Sequence, residues 1–476
     1  MTKRRLKIRP VLIALNVSLL IIIALFYTFR LVKYYLKENG HKDADTTTLL
    51  VDELIKKQSY VDQTKGLVHD KNASIYRYIG KVEDNYLEYS GILFRIVGID
   101  KDNNIKAISD SNLTLMYSGL EKGFDKSYVY KWLNKSDEKY SGIFENNMGS
   151  TDKYLTNTYL CDDVVSDLKD INCEKNNNAL KITLLSLYDY ASAGGKESYL
   201  NNGESYYLST IDDKNNNYFI NTTGDVGLNK ISSKIYGVRP VITIKNDVAL
   251  MHGDGSKTSP YAVIEKSISK LSDVYISKYI NYSGSTYRVI STGENVKIAL
   301  SDNIKDGDKY LEKTFGGKNN IYSTTKKTIG EYLNNTYYKS IKNNDLIVKS
   351  SYGIGSNTLD NLDYTAVYSK TDTFNIGMLT LGDMFISDTK NVLTMNRGIE
   401  SSMIINVINK DGNVFGDLIA SKYEVRPTMY LKGDISIVSG DGSIDSPYEL
   451  GVNNEEKAKE DSNIQTFQID EEAFLY

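Results

Sequence analysis

The sequence predicts an α+β protein in which two tandem, homologous, mostly antiparallel modules follow an N-terminal transmembrane helix. Three observations support this fold class. Rare prolines recur at matched positions, strand-like runs alternate with a few short helical ones, and an uncharged apolar run lies near the N-terminus. A chain of 476 residues is long enough for two or three domains.

The duplication is clearest in the prolines. Four of the five fall into two pairs, one pair after Val-Arg and the other in Gly-Asp-Gly-Ser…Ser-Pro-Tyr: Pro240 with Pro427, and Pro260 with Pro447. The spacing between the two motifs is the same in both places, so the segments align without a gap. A fixed period of this kind indicates one module present twice. We predict copy one at residues 65–265 and a degenerate copy two at 271–451.

Within the copies, strand signals outnumber helix signals. The runs 93–99, 238–244 and 425–431 have the pattern of strands. Proline inside the last two places them at a sheet edge or a strand start, because proline cannot donate to a ladder. Short helices are predicted at Ser127–Asn134 and Ser186–Ala193, each opened by a serine that can cap the first turn.

The N-terminus predicts a membrane anchor. A basic segment at 1–10 precedes an apolar run at 11–29 that holds no formal charge and is long enough to cross a bilayer. The excess of basic residues before the run predicts a cytoplasmic N-terminus and an extracellular bulk, with the run as an uncleaved signal anchor. A cleaved leader is the alternative. A stalk is predicted at 30–64 and a flexible acidic tail at 452–476.

Charge and cysteine content limit the partners. A net charge of −4 argues against a nucleic-acid binder, which usually presents a basic face. Cys161 and Cys173 are the only cysteines. In an extracellular protein they predict a disulfide. A metal or redox pair is the weaker alternative, because neither cysteine belongs to a C-x-x-C motif.

Catalytic constellations are absent from the sequence. The chain has three histidines, and among them only His252 stands in a folded region as a candidate base. No nucleophile elbow, zinc-protease motif or phosphate-binding loop occurs. We therefore predict no catalytic residue, no metal site and no cofactor. The repeated Gly-Asp-Gly-Ser segments could hold calcium or a sugar hydroxyl, but a terminal turn explains the same residues more simply.

A series of motifs in copy one carries a family resemblance: Tyr76-Arg-Tyr-Ile-Gly, Trp132-Leu-Asn, Leu185-Ser-Leu-Tyr-Asp, Tyr206-Tyr-Leu-Ser and Gly237-Val-Arg-Pro. Together they resemble an uncharacterised Firmicutes surface-protein family, a domain of unknown function in which a WWLRS-like strand precedes GVRP. Their order is similar to that of C-type-lectin-like and formylglycine-generating-enzyme-like domains. The resemblance implies two tandem C-type-lectin-like modules and supplies no catalytic residue.

Two sets of site residues follow. Tyr206, Tyr207 and Ser209 are predicted to bind the ligand, because aromatic residues cluster there beside an Asn-rich loop and copy two has lost them. Two arginines are predicted to pair with carboxylates that recur in both copies, as structural contacts: Arg239 with Asp189, and Arg426 with Asp383.

The predicted function is that of a membrane-anchored extracellular binding or adhesion protein of a Gram-positive-type bacterium. Its ligand would be a glycan, a peptidoglycan fragment of the cell wall or a surface protein, and not nucleic acid. One alternative is an envelope-modifying hydrolase or transferase, which needs an acid/base pair that the sequence does not reveal. The other is a structural envelope component without a small ligand.

Overall fold

β-Strands dominate the structure. The computed structural model describes residues 48–452 except 61, 72–73, 119–123, 125–126, 136–141, 162–164, 170, 172, 174, 230–233, 264–266, 318–320, 357–369, 381–382, 384–389 and 398–403. Strands account for 41% of it and helices for 16%. The protein is therefore mostly β, and the predicted α+β class is wrong. The helices are short, so sheets and not helices form the layers.

The predicted membrane anchor is also corrected. In the part of the chain that the structure describes, no helix is long and apolar enough to cross a bilayer. This finding does not support the transmembrane helix predicted at 11–29, nor the single-pass, N-terminus-inside localisation that depended on it. Residues 1–47, with the predicted basic segment, transmembrane run and most of the stalk, lie outside the described residues, as does the predicted tail from 453 onward.

The disulfide prediction is likewise not supported. Among the described side chains there is no cysteine pair. The strand that ends at Cys161 is described, but the side chain of that residue is not. Cys173 is exposed and is not a free thiol. The structure therefore gives no geometry for the predicted Cys161–Cys173 bond.

Serine caps define two of the helices as predicted. The helices are α1 Leu50–Lys56, α2 Tyr128–Leu133, α3 Ile143–Asn147, α4 Thr151–Tyr154, α5 Leu187–Ser192, α6 Ile329–Glu331 and α7 Tyr338–Ser340, with a π-helical stretch Tyr332–Tyr337 between the last two. The Oγ of Ser127 accepts from the backbone N–H of Tyr130 at 3.0 Å, and the Oγ of Ser186 accepts from that of Asp189 at 3.0 Å. Each bond satisfies a donor that the first helical turn leaves open.

The strands of copy one are β1 Gly66–Asp70, β2 Ile75–Ile79, β3 Tyr86–Tyr89, β4 Ile92–Ile99, β5 Ile105–Ser109, β6 Thr114–Tyr117, β7 Leu155–Thr156, β8 Thr158–Cys161, β9 Lys175–Leu180, β10 Ile182–Thr183, β11 Tyr206–Ile211, β12 Asn217–Ile220, β13 Val226–Asn229, β14 Ile235–Val238, β15 Val241–Ile244 and β16 Tyr261–Ala262. Those of copy two are β17 Tyr279–Tyr282, β18 Ser285–Ser291, β19 Asn295–Leu300, β20 Lys305–Asp306, β21 Lys309–Tyr310, β22 Glu312–Thr314, β23 Ser350–Ser356, β24 Lys370–Phe374, β25 Ile376–Met378, β26 Val392–Arg397, β27 Ile404–Ile408, β28 Val414–Leu418, β29 Lys422–Glu424, β30 Pro427–Lys432, β31 Ile437–Ser439 and β32 Tyr448–Leu450.

Each copy contains a first sheet with the same strand order. In copy one the order is β16-β3-β4-β5-β15-β10, and in copy two it is β32-β17-β18-β19-β30-β25. The pair at the start is parallel in both sheets, and every other neighbour is antiparallel. Copy one adds β1, β2 and β7 to this sheet, and copy two adds β31.

A second sheet also repeats. Copy one has β6-β14-β11-β12-β13, and copy two has β22-β29-β26-β27-β28. The second and third strands of each run are parallel, and the others are antiparallel. The second sheet of copy two is extended by β23 and β24. The two halves of the chain thus share one topology, whereas their predicted boundaries stay predictions.

The Val-Arg-Pro segments mark where the chain leaves the second sheet and enters the first. In copy one β14 ends at Val238 and β15 begins at Val241; in copy two β29 ends at Glu424 and β30 begins at Pro427. Both prolines therefore lie at a strand start, which is one of the two positions predicted for them. Proline at a strand start costs no ladder hydrogen bond. The carbonyl oxygen of Pro240 accepts from the N–H of Ser109 at 2.9 Å, which ties this crossing to β5.

The two copies share part of their core. The described residues from Leu49 to Val452 belong to one compact unit. The cluster of buried side chains centred on copy one also takes in copy-two side chains, among them Ile276, Ile290 and Ala299. Hydrogen bonds cross as well: the Oγ1 of Thr292 donates to Oδ1 of Asn147 at 2.8 Å. The interface between the copies is therefore a packed, fixed part of the fold.

Candidate functional site

The ligand residues predicted from the sequence lie in the core. Tyr206, Tyr207 and Ser209 are side by side on β11 and are at most 1% exposed. Their hydroxyls donate to backbone carbonyl oxygens at 3.1, 2.9 and 3.4 Å respectively. Burial raises the pKa of Tyr206 to about 12, against the opposing effect of the nearby Arg239 cation. The structure brings the three together but leaves no surface there for a ligand.

Arg239 is a structural residue, but its partner is not the predicted one. Its Nε donates to the carbonyl oxygen of Ser109 and its Nη1 to that of Leu200, both at 2.9 Å. The guanidinium also lies 4.6 Å from the ring centroid of Tyr206. The carboxylate of Asp189 forms its ion pair with Lys106 instead. Arg239 therefore fastens the crossing between the two sheets through backbone carbonyls.

In each copy a lysine pairs with the carboxylate that was predicted to pair with the arginine. Nζ of Lys106 on β5 lies 3.1 Å from Oδ2 of Asp189, and Lys297 on β19 forms the same ion pair with Asp383. Arg426 instead donates from Nε to Oδ1 of Asn303 at 2.9 Å. Sequence reasoning missed both lysines. The available signal was a lone lysine at the same position of two mainly apolar strands.

One surface hollow belongs to copy one alone. It has a volume of about 470 Å³ and is lined by the β11–β12 turn, including Asp212 and Asn216. The carboxylate of Asp212 accepts from the N–H groups of Lys214 at 2.9 Å and Asn216 at 2.7 Å. The carboxylate of Asp212 therefore stabilises the β11–β12 turn in which it lies. The hollow gives no sign of a ligand.

The larger concave surface lies between the copies. Two adjoining hollows, of about 360 and 900 Å³, share Gly91, Leu93, Lys278 and Ser443 in their walls. We call them together the inter-copy cleft. Copy one contributes the β3–β4 turn and the chain after β5. Copy two contributes the start of β17 and its Gly-Asp-Gly-Ser turn, so neither copy forms the cleft alone.

Two cations of copy two face the cleft. Arg288 is 6% exposed and donates from Nη2 to the carbonyl oxygen of Leu113 in copy one at 2.5 Å. Nζ of Lys278 reaches the carbonyl oxygen of Asp441 at the long distance of 3.5 Å. Burial lowers the pKa of Lys278, although the carboxylates of Asp441 and Glu88 oppose that effect. A desolvated ammonium is thus held at the cleft wall.

Carboxylates line the same cleft. Asp110 is shared between two cations of copy one, Nη1 of Arg95 at 3.6 Å and Nζ of Lys257 at 3.5 Å. Oε2 of Glu204 accepts from the N–H of Asn112 at 2.7 Å. The larger hollow adds Glu88 and Asp441. The lining is therefore polar and carries both signs of charge.

Aromatic rings form the apolar part of the lining. Tyr275 and Tyr448 border the larger hollow, and Tyr279 borders the smaller one. The ring of Tyr275 packs under the β3–β4 turn, where a Cβ on Gly91 would lie 2.1 Å from it. Gly91 also has a φ of +69°, which favours glycine. Burial raises the pKa of Tyr275 to about 12, so its hydroxyl is neutral at physiological pH.

The described carboxylates and histidines do not form a metal cluster, and the described histidines lie elsewhere. Within the described ranges no group of three His, Cys, Asp or Glu side chains is placed to hold a metal ion. His69 stacks on Tyr76 with ring centroids 4.3 Å apart, and His252 is in the β-bridge to Ala262. Neither histidine lines the inter-copy cleft.

Comparison with known proteins gives no relative. No protein-family model, no curated protein and no solved structure matches this chain. The resemblance to the Firmicutes surface-protein family therefore stays a prediction, and the inter-copy cleft has to be interpreted from its own chemistry.

Proposed function

We propose that this chain is a glycan-binding protein whose ligand lies in the inter-copy cleft. The observation that carries the proposal is the composition of the cleft wall, in which tyrosine rings, hydroxyls, carboxylates and cations of both copies surround one concave space. Ligand sites of small molecules are typically concave, with volumes of about 300–1,000 Å³ and a few polar groups that fix orientation. Both hollows are within that range.

The chemistry of the wall suits a sugar. Hydroxyls of a sugar both donate and accept, and carboxylates such as Glu88 and Glu204 accept strongly. The half-exposed or exposed hydroxyls of Ser277 and Ser443 can do both. The ring of Tyr279 offers an apolar face with a polar edge, to which the C–H face of a sugar can pack. An extended apolar peptide would find fewer matching surfaces here.

Binding to a glycan array tests this proposal. The full chain should bind a subset of glycans on an array that spans neutral, amino and uronic-acid sugars. Ser443 is exposed and borders both hollows, so Ser443→Trp should fill the cleft and abolish that binding.

Ser443→Ala is the matched control. The Oγ of Ser443 accepts from the N–H of Ser446 at 3.0 Å, and both substitutions remove this bond. Only tryptophan adds bulk, so Ser443→Ala should bind as the unmodified chain does. An array without any bound glycan, or binding that survives Ser443→Trp in a folded protein, would refute the proposal.

A further inference from the structure

The larger hollow of the inter-copy cleft has aliphatic walls in addition to its tyrosine rings. The rings of Tyr275 and Tyr448 are only 3% and 9% exposed. Five aliphatic side chains that keep part of their surface exposed border the same hollow: Leu93, Pro260, Ile268, Ile437 and Val438. Single exposed apolar side chains are ordinary, but a group of them around one concave space is typical of a binding surface.

The most exposed of these side chains stands at an irregularity of its strand. Val438 is 46% exposed and lies on β31, the last strand of the first sheet of copy two. Ile437 pairs with Leu450, and the next pair joins Ser439 to Glu449. One residue of β31, Val438, is therefore the extra residue of a β-bulge. A bulge redirects a side chain and is frequent at sheet edges beside functional sites.

The smaller hollow has a different wall. Its polar side chains include two hydroxyls, an amide and a carboxylate: Ser111, Ser277, Asn112 and Glu204. None of these four borders the larger hollow. The two hollows adjoin through shared residues, among them Gly91 and Ser443. A single ligand can therefore extend from a wall that suits hydroxyls to one that suits aliphatic groups.

The charges at the larger hollow balance one another. Two cations and two carboxylates border it: Lys257, Lys278, Glu88 and Asp441. Nζ of Lys257 lies 3.5 Å from Oδ2 of Asp110, and Lys278 interacts electrostatically with both carboxylates of the hollow. A charged ligand group would meet like charges as readily as opposite ones. The larger hollow therefore favours an uncharged group.

We infer that the glycan recognised in the inter-copy cleft carries an uncharged aliphatic aglycone, which lies in the larger hollow while the sugar lies in the smaller one. The inference rests on the proposed glycan-binding function and specifies its substrate class as alkyl or acyl glycosides. Covering the exposed aliphatic side chains removes apolar surface from water on both partners, which favours binding. The sugar then meets the hydroxyl, amide and carboxylate groups of the smaller hollow.

Calorimetric titration with paired glycosides tests the inference. The probes are the methyl and octyl β-glycosides of glucose, galactose and N-acetylglucosamine, below the concentration at which the octyl compounds form micelles. Within a pair only the aglycone differs. Because each buried CH₂ group favours binding, we expect the full chain to bind at least one octyl glycoside about tenfold or more tightly than its methyl counterpart. 1-Octanol, which lacks the sugar, should bind at least about tenfold more weakly than that octyl glycoside, since no polar group then fixes its orientation.

Variants of Val438 place the aliphatic group. Val438→Asp puts a carboxylate on the aliphatic wall and should lower the ratio of octyl to methyl affinity at least about fivefold, because an alkyl chain would desolvate that charge. Val438→Ser should lower the ratio by a smaller factor. Met251 supplies the matched control: like Val438 it lies two residues before Gly-Asp-Gly-Ser, it is 50% exposed, and it borders neither hollow. Met251→Asp should leave the ratio unchanged, and equal melting temperatures exclude loss of folding.

The outcomes separate the inference from the proposed function. If octyl and methyl glycosides bind equally, or none of the six binds while the array yields a glycan that Ser443→Trp abolishes, the aglycone inference fails and glycan binding in the cleft stands. An octyl preference that survives both Val438 variants, or that Met251→Asp lowers as much, overturns the placement in the larger hollow. Equal binding of 1-octanol and the octyl glycosides overturns the joint ligand. A blank array together with six silent probes overturns both the inference and the proposed function.

Discussion

The side-chain amide of Asn134 forms two hydrogen bonds with the backbone of Ile182. Its Nδ2 donates to the carbonyl oxygen at 2.9 Å, and its Oδ1 accepts from the N–H at 3.1 Å. Asn334 does the same to Ile376, at 2.9 and 3.1 Å. In each copy an asparagine after Trp-Leu or Tyr-Leu thus pins the helix region to the edge strand of the first sheet.

Replacing either asparagine should destabilise its copy. Asn134→Ala or Asn334→Ala removes both side-chain hydrogen bonds to a buried strand, although the carbonyl oxygen of Ile376 keeps the hydroxyl of Tyr322 at 2.7 Å. We expect a cost of about 1–3 kcal/mol in the free energy of unfolding. Urea denaturation followed by circular dichroism measures the change. The exposed Asn335→Ala, one residue along the same helical segment, is the control and should change nothing. Equal midpoints for all three variants would contradict this account of the motif.

The ion pair between Lys106 and Asp189 should matter more than a surface pair. Their side chains are 22% and 13% exposed, and Oδ2 of Asp189 also accepts from the Oγ of Ser186 at 2.9 Å. Asp189→Ala should therefore lower the free energy of unfolding by about 1–3 kcal/mol. The substitution leaves the partly buried ammonium of Lys106 without its carboxylate and removes the acceptor of the Ser186 hydroxyl. A double-mutant cycle with Lys106→Met measures the coupling. The cycle for the exposed Lys196 and Asp225 should show none, and a coupling no larger than that control would contradict the prediction.

Arg239→Ala should lower stability without changing ligand selectivity. Arg239 is 1% exposed, and its guanidinium donates hydrogen bonds to two backbone carbonyl oxygens at the crossing between the sheets. Its loss opens a cavity and removes one donor from each carbonyl, although the carbonyl oxygen of Leu200 keeps the hydroxyl of Tyr206 at 3.1 Å. We expect a cost of about 1–3 kcal/mol in the free energy of unfolding. Differential scanning calorimetry gives the melting temperature, and the glycan array gives the selectivity. An unchanged melting temperature, or a changed set of bound glycans, would contradict a purely structural role.

Buried tyrosines should make the protein sensitive to alkaline pH. Burial raises the pKa of Tyr206 and of Tyr275 to about 12 each, whereas a tyrosine in the unfolded chain ionises near pH 10. Their contribution to stability is therefore complete below pH 10 and is lost as the pH rises from about 10 to about 12. For each tyrosine the loss is at most about 1.4 kcal/mol per pH unit.

Urea unfolding between pH 8 and pH 11 measures this slope. Tyr275→Phe should make the decline above pH 10 shallower, because phenylalanine has no proton to lose. Tyr60→Phe, at a ring that is 77% exposed, is the matched control. A decline that is equally steep in Tyr275→Phe and in the unmodified chain would contradict the assignment.

Features that depend on neighbouring residues could be predicted from the sequence, whereas the pairing of strands could not. The caps Ser127 and Ser186 and the strand-starting prolines were predicted because each depends on neighbours within a few residues. The fold class was wrong because several strands are polar, for example β9 Lys175–Leu180 and β23 Ser350–Ser356. Such segments gain their strand conformation from the partner strand and not from their own propensity.

The candidate site was hidden for a similar reason. Tyr206 and Tyr207 looked like a binding face, but every residue of β11 is buried, so the alternation that reveals an exposed face is missing. The cleft depends on contacts between distant segments, such as the bond from Arg288 to Leu113, which are 175 positions apart.

Hydrogen–deuterium exchange with and without a saturating array-selected glycan tests the joint site most directly. The account predicts that the glycan slows exchange at least about tenfold in segments of both copies, 111–115 after β5 together with 277–279 and 441–443 of copy two. Protection confined to one copy, or centred on β11, would contradict a ligand site shared between the copies.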